Sequence, residues 1–369
     1  MSLPAAPLRI ASIEHLQQVI TTADQVIPCG GGSKPALAPP SGGAQALDLR
    51  GLAGILEYDP GEYTFTALAG TTLATVDAAL AEHGQYLPFD PPLVAAGATL
   101  GGTVAAGLSG SGRYRYGGVR DFLIGVHFVD GKGRLVRGGG KVVKNAAGFD
   151  LPKLMVGSLG RFGVLAELTF KVFPRLQHYA SASITFFTLE AALAALQTVA
   201  AARLDLEALD LVVEGAAGEP PAYTLWVRLG GWEALLPQRL EQIYQLLGIG
   251  IAVTGAEEAA AWHAVRECTW APADHALVKV ATTPAQLPAL EAQLVTTPAR
   301  RRYAVGGNLT WLSWPGALSD LDRRLAALNL SGLLLRGQHT TPYLGQPPDA
   351  TLIGRVKQTL DPLGKLGAV

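Results

Sequence analysis

The chain has 369 residues, 49% of them hydrophobic and only 16% charged, and its 29 lysines and arginines nearly balance its 30 aspartates and glutamates. A formal net charge of -1 argues against nucleic acid as a partner, which calls for a basic stripe, and two cysteines are too few for a metal cluster or a disulfide scaffold. The length favours two domains over one core, while a charged share below the usual ~25% leaves two explanations open, surface reserved for partners or an abundance of alanine.

The opening MSLPAAPLRI lacks the basic start and apolar run of a signal peptide. No apolar run reaches the ~18–20 residues that span a bilayer, because Gln197 and Arg203 interrupt the best alanine-rich stretch. The expected location is cytoplasmic, with attachment to the inner face of the cell membrane through a partner left open. IEHLQQVITTA places Ile13, Leu16, Val19 and Ile20 on one helical face, and a short apolar QVIPC follows. In PCGGGSK, three successive glycines let their amides turn inward as an anion-binding nest, and Ser33 adds a hydroxyl. Lys34 is read as a solvent-exposed point charge nearby. The stretch is neither a dinucleotide fingerprint, since no helix pattern opens and Pro35 intervenes, nor a Walker loop, whose spacing is missing.

YTFTALAG alternates as a half-buried strand. TLATVDAALAEHG predicts a helix capped by Thr72, with Leu73, Val76 and Leu80 inward and Gly84 as its stop. Residues 97–112, GATLGGTVAAGLSGSG, hold six glycines in sixteen positions. That is a heavy entropic cost unless some bulky group approaches the backbone at Gly101 and Gly102, where a positive φ would add a further reason. Thr99, Thr103 and Ser109 stand beside them as hydroxyl donors, and the rival reading is a tight crossover between domains. LIGVHFVDGKGRLVRGG predicts a hairpin turning at Asp130–Gly131, with Gly133 easing the return. In KNAAGFDLPKLMVGS, Lys144 and Asp150 are candidates for chemistry, but Asp150 fits better as the cap of LPKLMVG, with Pro152 in the first turn. GVLAELTFKVFPR reads as a strand ending at Pro174.

After about residue 176 alanine and leucine dominate, and strand and helix signals repeat in a way that suits a second, smaller sheet covered by helices. TLIGRVKQTLDPLG predicts a last helix halted at Asp361–Pro362. None of the seven histidines forms a ligand pair, so no metal site is expected, and His263 and His339 read as packing or surface residues. Cys29 and Cys268 read as buried filler, although a cysteine beside an anion nest has a route to a lowered pKa.

Taken in order, CGGGS, LPFDPP, ATLGGTVAAG and the run from RYGGVRDFLIG to TFKVFP resemble the FAD-binding domain of the vanillyl-alcohol oxidase / p-cresol methylhydroxylase (PCMH-type) superfamily. The resemblance implies an α+β fold. A PCMH-type FAD-binding domain of two α+β subdomains would cover residues 1–176, a smaller α/β cap domain 177–345, and a return segment 346–369 would pack on the FAD domain. It implies that Gly30, Gly31, Gly32 and Ser33, beside Pro28, wrap the pyrophosphate, and that Pro91 sits near the flavin. Thr99, Gly101, Gly102 and Thr103 would meet the pyrophosphate and ribityl region, with Ser109 close by. Val164 would present backbone groups to the adenine end, supported by Gly157 and Gly160. Ser33 stands where covalent relatives often carry histidine, which implies noncovalent FAD.

The same resemblance implies an FAD-binding subunit of a glycolate, or 2-hydroxy-acid, oxidase complex, with electrons passing from flavin to an iron–sulfur subunit and with a second FAD-containing catalytic subunit. It puts Arg301, Arg302 and Trp311 near a flavin-facing edge, and assigns no catalytic residue. The family's closing Asn-Pro-Gly appears here as Leu366-Gly367-Ala368, a departure in the last loop. Two other readings stand beside this one: a self-sufficient FAD-dependent 2-hydroxy-acid dehydrogenase, and a structural subunit that keeps the fold without working flavin.

Overall fold

The computed structural model describes residues 6–37, 43–140, 150–214, 220–248 and 250–367. The chain forms two compact units, one of residues 1–109, 117–175 and 348–369, the other of residues 110–116 and 176–347.

The first unit begins with β1 (Leu8–Arg9), α1 (Ile13–Thr22), β2 (Val26–Cys29) and β3 (Gln45–Asp48). The strands make a parallel sheet in the order β1-β3-β2. Ser12 caps α1, its hydroxyl accepting from the His15 amide at 3.1 Å, and the helix buries Leu16, Val19 and Ile20. These pack with Ile10, Val26 and Leu47 in one cluster, each such side chain contributing roughly 1.5–3 kcal/mol. Ile13 is only partly buried, at the edge of that cluster.

A second sheet follows from β4 (Ile55–Asp59) and β5 (Thr64–Leu68). Between them and the rest come α2 (Leu73–Ala81), β6 (Gln85–Tyr86), α3 (Leu100–Ala106), α4 (Arg113–Tyr116, part of the other unit) and α5 (Val119–Phe122). Then β7 (Leu123–Val129), β8 (Leu135–Gly139), α6 (Leu151–Met155) and β9 (Val164–Lys171) complete an antiparallel sheet in the order β4-β5-β9-β7-β8. The Thr72 cap of α2 and the Asp150 cap of α6 form as expected, accepting from Thr75 at 3.1 Å and Lys153 at 3.2 Å. The β7–β8 hairpin turns on buried Asp130, whose carboxylate accepts from the amides of Lys132 and Arg134. β10 (Phe173–Pro174) pairs with β6.

The unit closes from far along the chain. After the last helix, Ala350–Leu360, buried Asp361 accepts from the amides of Lys365 and Leu366, both at 2.9 Å. Leu366 then lies parallel to β2, with Val26 donating to Lys365 O at 2.7 Å and Gly367 donating to Val26 O at 3.0 Å. The closing loop therefore returns to the first unit without the family's Asn-Pro-Gly, because backbone pairing and the Asp361 carboxylate hold it.

In the second unit come β11 (His178–Phe186), α7 (Leu189–Ala201), β12 (Leu206–Glu214), β13 (Ala222–Gly231) and α8 (Leu236–Leu247). β14 (Ile251–Thr254), α9 (Gly255–Arg266), β15 (Ala276–Ala281) and α10 (Leu287–Leu294) continue it. β16 (Arg300–Ala304), β17 (Leu309–Trp314), α11 (Leu318–Ala327), β18 (Ser331–Arg336) and β19 (Tyr343–Gly345) end it. The sheet order is β14-β11-β13-β12-β16-β17-β15-β18-β19. Every described pairing in it is antiparallel, and with nine strands it is the larger of the two main sheets, not the smaller one expected. In α7, Ala192 and Ala195 are buried beside Leu193, Leu196 and Val199, so part of the alanine excess is core rather than surface.

Candidate functional site

A cleft of about 440 Å³ opens within the first unit. Three segments line it: the loop after β2, the start of α3, and the turn before β9. Pro28, Gly30, Gly31, Gly32, Ser33, Thr99, Gly101, Gly102 and Gly160 all contribute, with Cys29, Lys34, Ala69 and Leu159 beside them.

Most of these glycines are explained by chain packing on chain. A Cβ on Gly31 would collide with the carbonyl oxygen of Gly97, and one on Gly30 would stand 2.5 Å from Thr99 Oγ1. On Gly101 it would meet Ala69 Cβ at 2.8 Å, and on Gly160, Pro28 Cγ at 2.8 Å. Backbone thus meets backbone at Gly31 and Gly97, while Gly30, Gly101 and Gly160 each leave room for a neighbouring side chain. Gly32 is different: nothing stands within 4 Å of its missing Cβ, and its φ of +75° is what favours glycine there. Gly101 and Gly102 lie in the first turn of α3, and neither is among the positive-φ glycines, which removes the backbone reason expected for them.

Hydrogen bonding separates the two glycine loops. At α3, Leu100 donates to Thr71 O at 2.9 Å, Gly101 to Ala69 O at 2.8 Å, and Gly102 to the capping Thr99 Oγ1 at 3.2 Å. Those amides are spent on the fold. The amides of Gly30, Gly31, Gly32 and Ser33 have no acceptor among the described residues. Donors from both sides were expected; they come from one.

Lys34 also departs from expectation. It is half-buried, not exposed, and its Nζ donates to Ser33 Oγ at 2.9 Å. Burial lowers its pKa to about 8, since a charge taken from water without a counter-ion prefers to lose its proton. Its burial depends on how the loop folds back, which no local pattern signals.

Five other expected residues lie outside the cleft lining. Pro91 is buried just after Asp90, which has a φ of +53°. Ser109 Oγ accepts from the Val119 amide at 2.9 Å. Val164 is fully buried at the start of β9, paired with Val129. Gly157 donates to Val104 O at 2.9 Å and so ties its turn to α3. Thr103 is buried, and its Oγ1 has no hydrogen-bond partner among the described residues.

The remaining candidates take structural places. Lys144 lies outside the described residues. Burial, then Asp48, pushes the Cys29 thiol up rather than down, and Cys268 is buried in the second unit. His263 is exposed on α9, and His339 Nδ1 bonds Thr341 O at 3.1 Å within its own turn. Arg301 and Arg302 present no free edge: both are buried in ion pairs inside the second unit. Arg301 donates to Glu291, through Nε at 2.7 Å, and Arg302 Nε to Asp210 Oδ2 at 2.7 Å. Trp311 is buried opposite Arg302. Among the described residues no cluster of histidine, cysteine or carboxylate is arranged for a metal, and no helix is long and apolar enough to cross a membrane.

Residues 4–139 match the family described as FAD binding domain. Glycolate oxidase subunit GlcE of Escherichia coli is 47% identical over 165 residues, 45% of this chain and 47% of that protein. D-lactate dehydrogenase of Archaeoglobus fulgidus is 33% identical over 183 residues, 49% and 41% of the two chains. Glycolate oxidase subunit GlcD of Bacillus subtilis is 28% identical over 229 residues, 58% and 48%. In each case the match spans less than half of the relative's own length. Among solved structures, alkyldihydroxyacetonephosphate synthase superposes with a TM-score of 0.71 over 98% of this chain and 76% of its own, at 16% identity, a likeness of fold alone. Residues 4–139 thus carry an FAD binding domain, within a mixed α+β fold. A glycine-walled cleft with four amides and a cation that have, among the described residues, no acceptor and no carboxylate partner respectively fits a cofactor that carries a diphosphate.

Proposed function

We propose that this chain, working through its FAD-binding domain, is the FAD-binding subunit of a glycolate-type 2-hydroxy-acid oxidase complex. Its partners in this reading are a second FAD-containing catalytic subunit and an iron–sulfur subunit. One observation carries the reading: the unsatisfied amides of Gly30–Ser33 sit in a cleft lined by glycine, inside the span that matches an FAD binding domain. Likeness to glycolate oxidase subunits and to a D-lactate dehydrogenase supports a small 2-hydroxy acid as the substrate class, with glycolate the first candidate.

Bound FAD would supply acceptance of two electrons from the 2-hydroxy acid and their release one at a time. The chain's own residues bind and orient it. The Gly30–Ser33 amides beside Pro28 hold the diphosphate, while Thr99, Gly101 and Gly102 form the opposite wall, where the Gly101 and Gly102 amides are already bonded. Gly160, supported by Gly157 and Val164, closes the third side. Pro91, Thr103 and Ser109 act from behind the lining. Attachment is noncovalent, since Ser33 offers no histidine and its hydroxyl is bonded to Lys34.

Anaerobic addition of glycolate, followed by visible spectroscopy, tests the reading. The expected result is a yellow protein that stays oxidised alone and bleaches when both partner subunits are present. Bleaching of the isolated chain would favour a self-sufficient dehydrogenase, and a colourless protein a structural subunit.

A further inference from the structure

We propose that Lys34 is the counter-ion of the cofactor's diphosphate, and so a residue that selects FAD over flavins without one. This rests on the reading that the Gly30–Ser33 loop holds that diphosphate, and it adds a side chain to a site otherwise made of backbone.

The geometry points the ammonium into the cleft. Lys34 immediately follows the loop, lines the cleft with it, and folds back so that Nζ donates to Ser33 Oγ at 2.9 Å. A Cβ on Gly102 would lie 3.7 Å from Nζ, an ordinary contact distance, so the ammonium sits against the first turn of α3 on the other wall of the cleft. Ser33 Oγ meets only one of the three N–H groups on Nζ. No carboxylate among the described residues lies in salt-bridge range of it. Among the described residues the only other titratable group lining the cleft is Cys29. Asp48, which acts on that thiol, is already held by Arg50 through two bonds of 2.8 Å. A half-buried cation next to four unsatisfied amides, with no anion of its own, is a site built for an anion from outside.

The proposal also fixes a pH signature. Burial leaves the unliganded ammonium at about 8, and a diphosphate beside it raises that value, so binding takes up a proton once the pH exceeds about 8. FAD affinity should then fall by up to tenfold per pH unit above that point.

The test uses the full chain stripped of flavin, with dissociation constants from flavin fluorescence and far-UV circular dichroism as a check on folding. For Lys34→Met at pH 7, the FAD dissociation constant should rise roughly ten- to hundredfold, the range for a charge-assisted hydrogen bond, with riboflavin binding unchanged and Lys34→Arg within a few-fold of wild type. FAD binding unchanged in Lys34→Met, or FAD and riboflavin weakened equally, would overturn the proposal. If Lys34→Met does not fold, the pH series on the wild-type chain decides, and a flat profile from pH 7 to 9.5 overturns it. Gly31→Ala separates the two layers: if that variant keeps full FAD affinity, the loop reading itself fails; if it loses FAD while Lys34→Met keeps it, only the lysine's role fails.

Discussion

Polar groups are treated in opposite ways in the buried carboxylate networks of the second unit and in the cleft of the first. In the second, Glu291 accepts from Arg301, Tyr303 and Tyr223, and Asp210 accepts from Ser111 Oγ at 2.6 Å, Arg302 and the Val305 amide at 3.1 Å. Each of those carboxylates is buried and each is answered from within the chain. In the first unit the cleft leaves four amides without an acceptor, and an ammonium bonded to Ser33 Oγ without a carboxylate, among the described residues. Internal satisfaction marks architecture; its local absence marks a place for something else.

The sharpest way to break this contrast is to remove the centre of one buried network. Glu291→Ala leaves Arg301 charged and alone, and should cost roughly 3–5 kcal/mol of stability, measured as a drop in the urea midpoint of the second unit. A loss below about 1 kcal/mol would mean that the network is not a structural keystone.

Gly31→Ala attacks the other side. Its Cβ has no room against Gly97, so the two backbones must part, and FAD affinity should fall at least about a hundredfold (roughly 2.7 kcal/mol). Flavin fluorescence titration reads this, and Gly32→Ala is the control. That position has open space, and only the strain of its φ, of order 1 kcal/mol, should appear.

A matched pair of threonine caps sharpens the comparison at smaller scale. Thr72→Ala and Thr99→Ala each remove one N-cap, costing about 1 kcal/mol by thermal unfolding. Only Thr99→Ala should also disturb flavin binding, because only that cap lines the cleft.

The smallest effect concerns pH. Burial raises the Glu207 carboxyl above its ordinary value, although Tyr116 and Arg115 oppose the shift. Its folded pKa exceeds the unfolded one, so its contribution is fully present below about 4.5 and is lost as pH rises through the folded value. Glu207→Gln should flatten the stability profile just above pH 4.5, measured by chemical denaturation across that window.

Much of the first unit is legible because its signals are local. The spacing of Leu16, Val19 and Ile20, the Thr72 and Asp150 caps, and the Asp130 turn each need only a few neighbouring residues. Local reasoning failed where tertiary contact decides. Leu100–Ala106 falls in a glycine-rich stretch with no helix signal, yet it is helical, and bare Gly101 lets its first turn lie against Ala69. Lys34 reads as exposed because its cover depends on how the loop folds back, with Nζ on Ser33 Oγ and near Gly102. Arg301 and Arg302 look like free cations until Glu291 and Asp210 arrive on other elements. The rival reading of residues 97–112 as a crossover between domains fits the division at Ser109: residues 110–116 belong to the second unit, where Tyr116 bonds Glu207 at 2.9 Å.

The pairing of Leu366 with β2 bears on how the protein is made. Lys365 Nζ donates to the last carbonyls of α1 across 345 positions of sequence, and the same segment completes the strand that runs into the Gly30–Ser33 loop. On a ribosome adding ~5–20 residues per second, that partner emerges tens of seconds after the strand it must join. The whole of residues 176–347 is synthesised in between. Fastening of that strand therefore waits until Leu366 has been made: a chain that has not yet reached it carries the nest sequence without the backbone that pairs with β2.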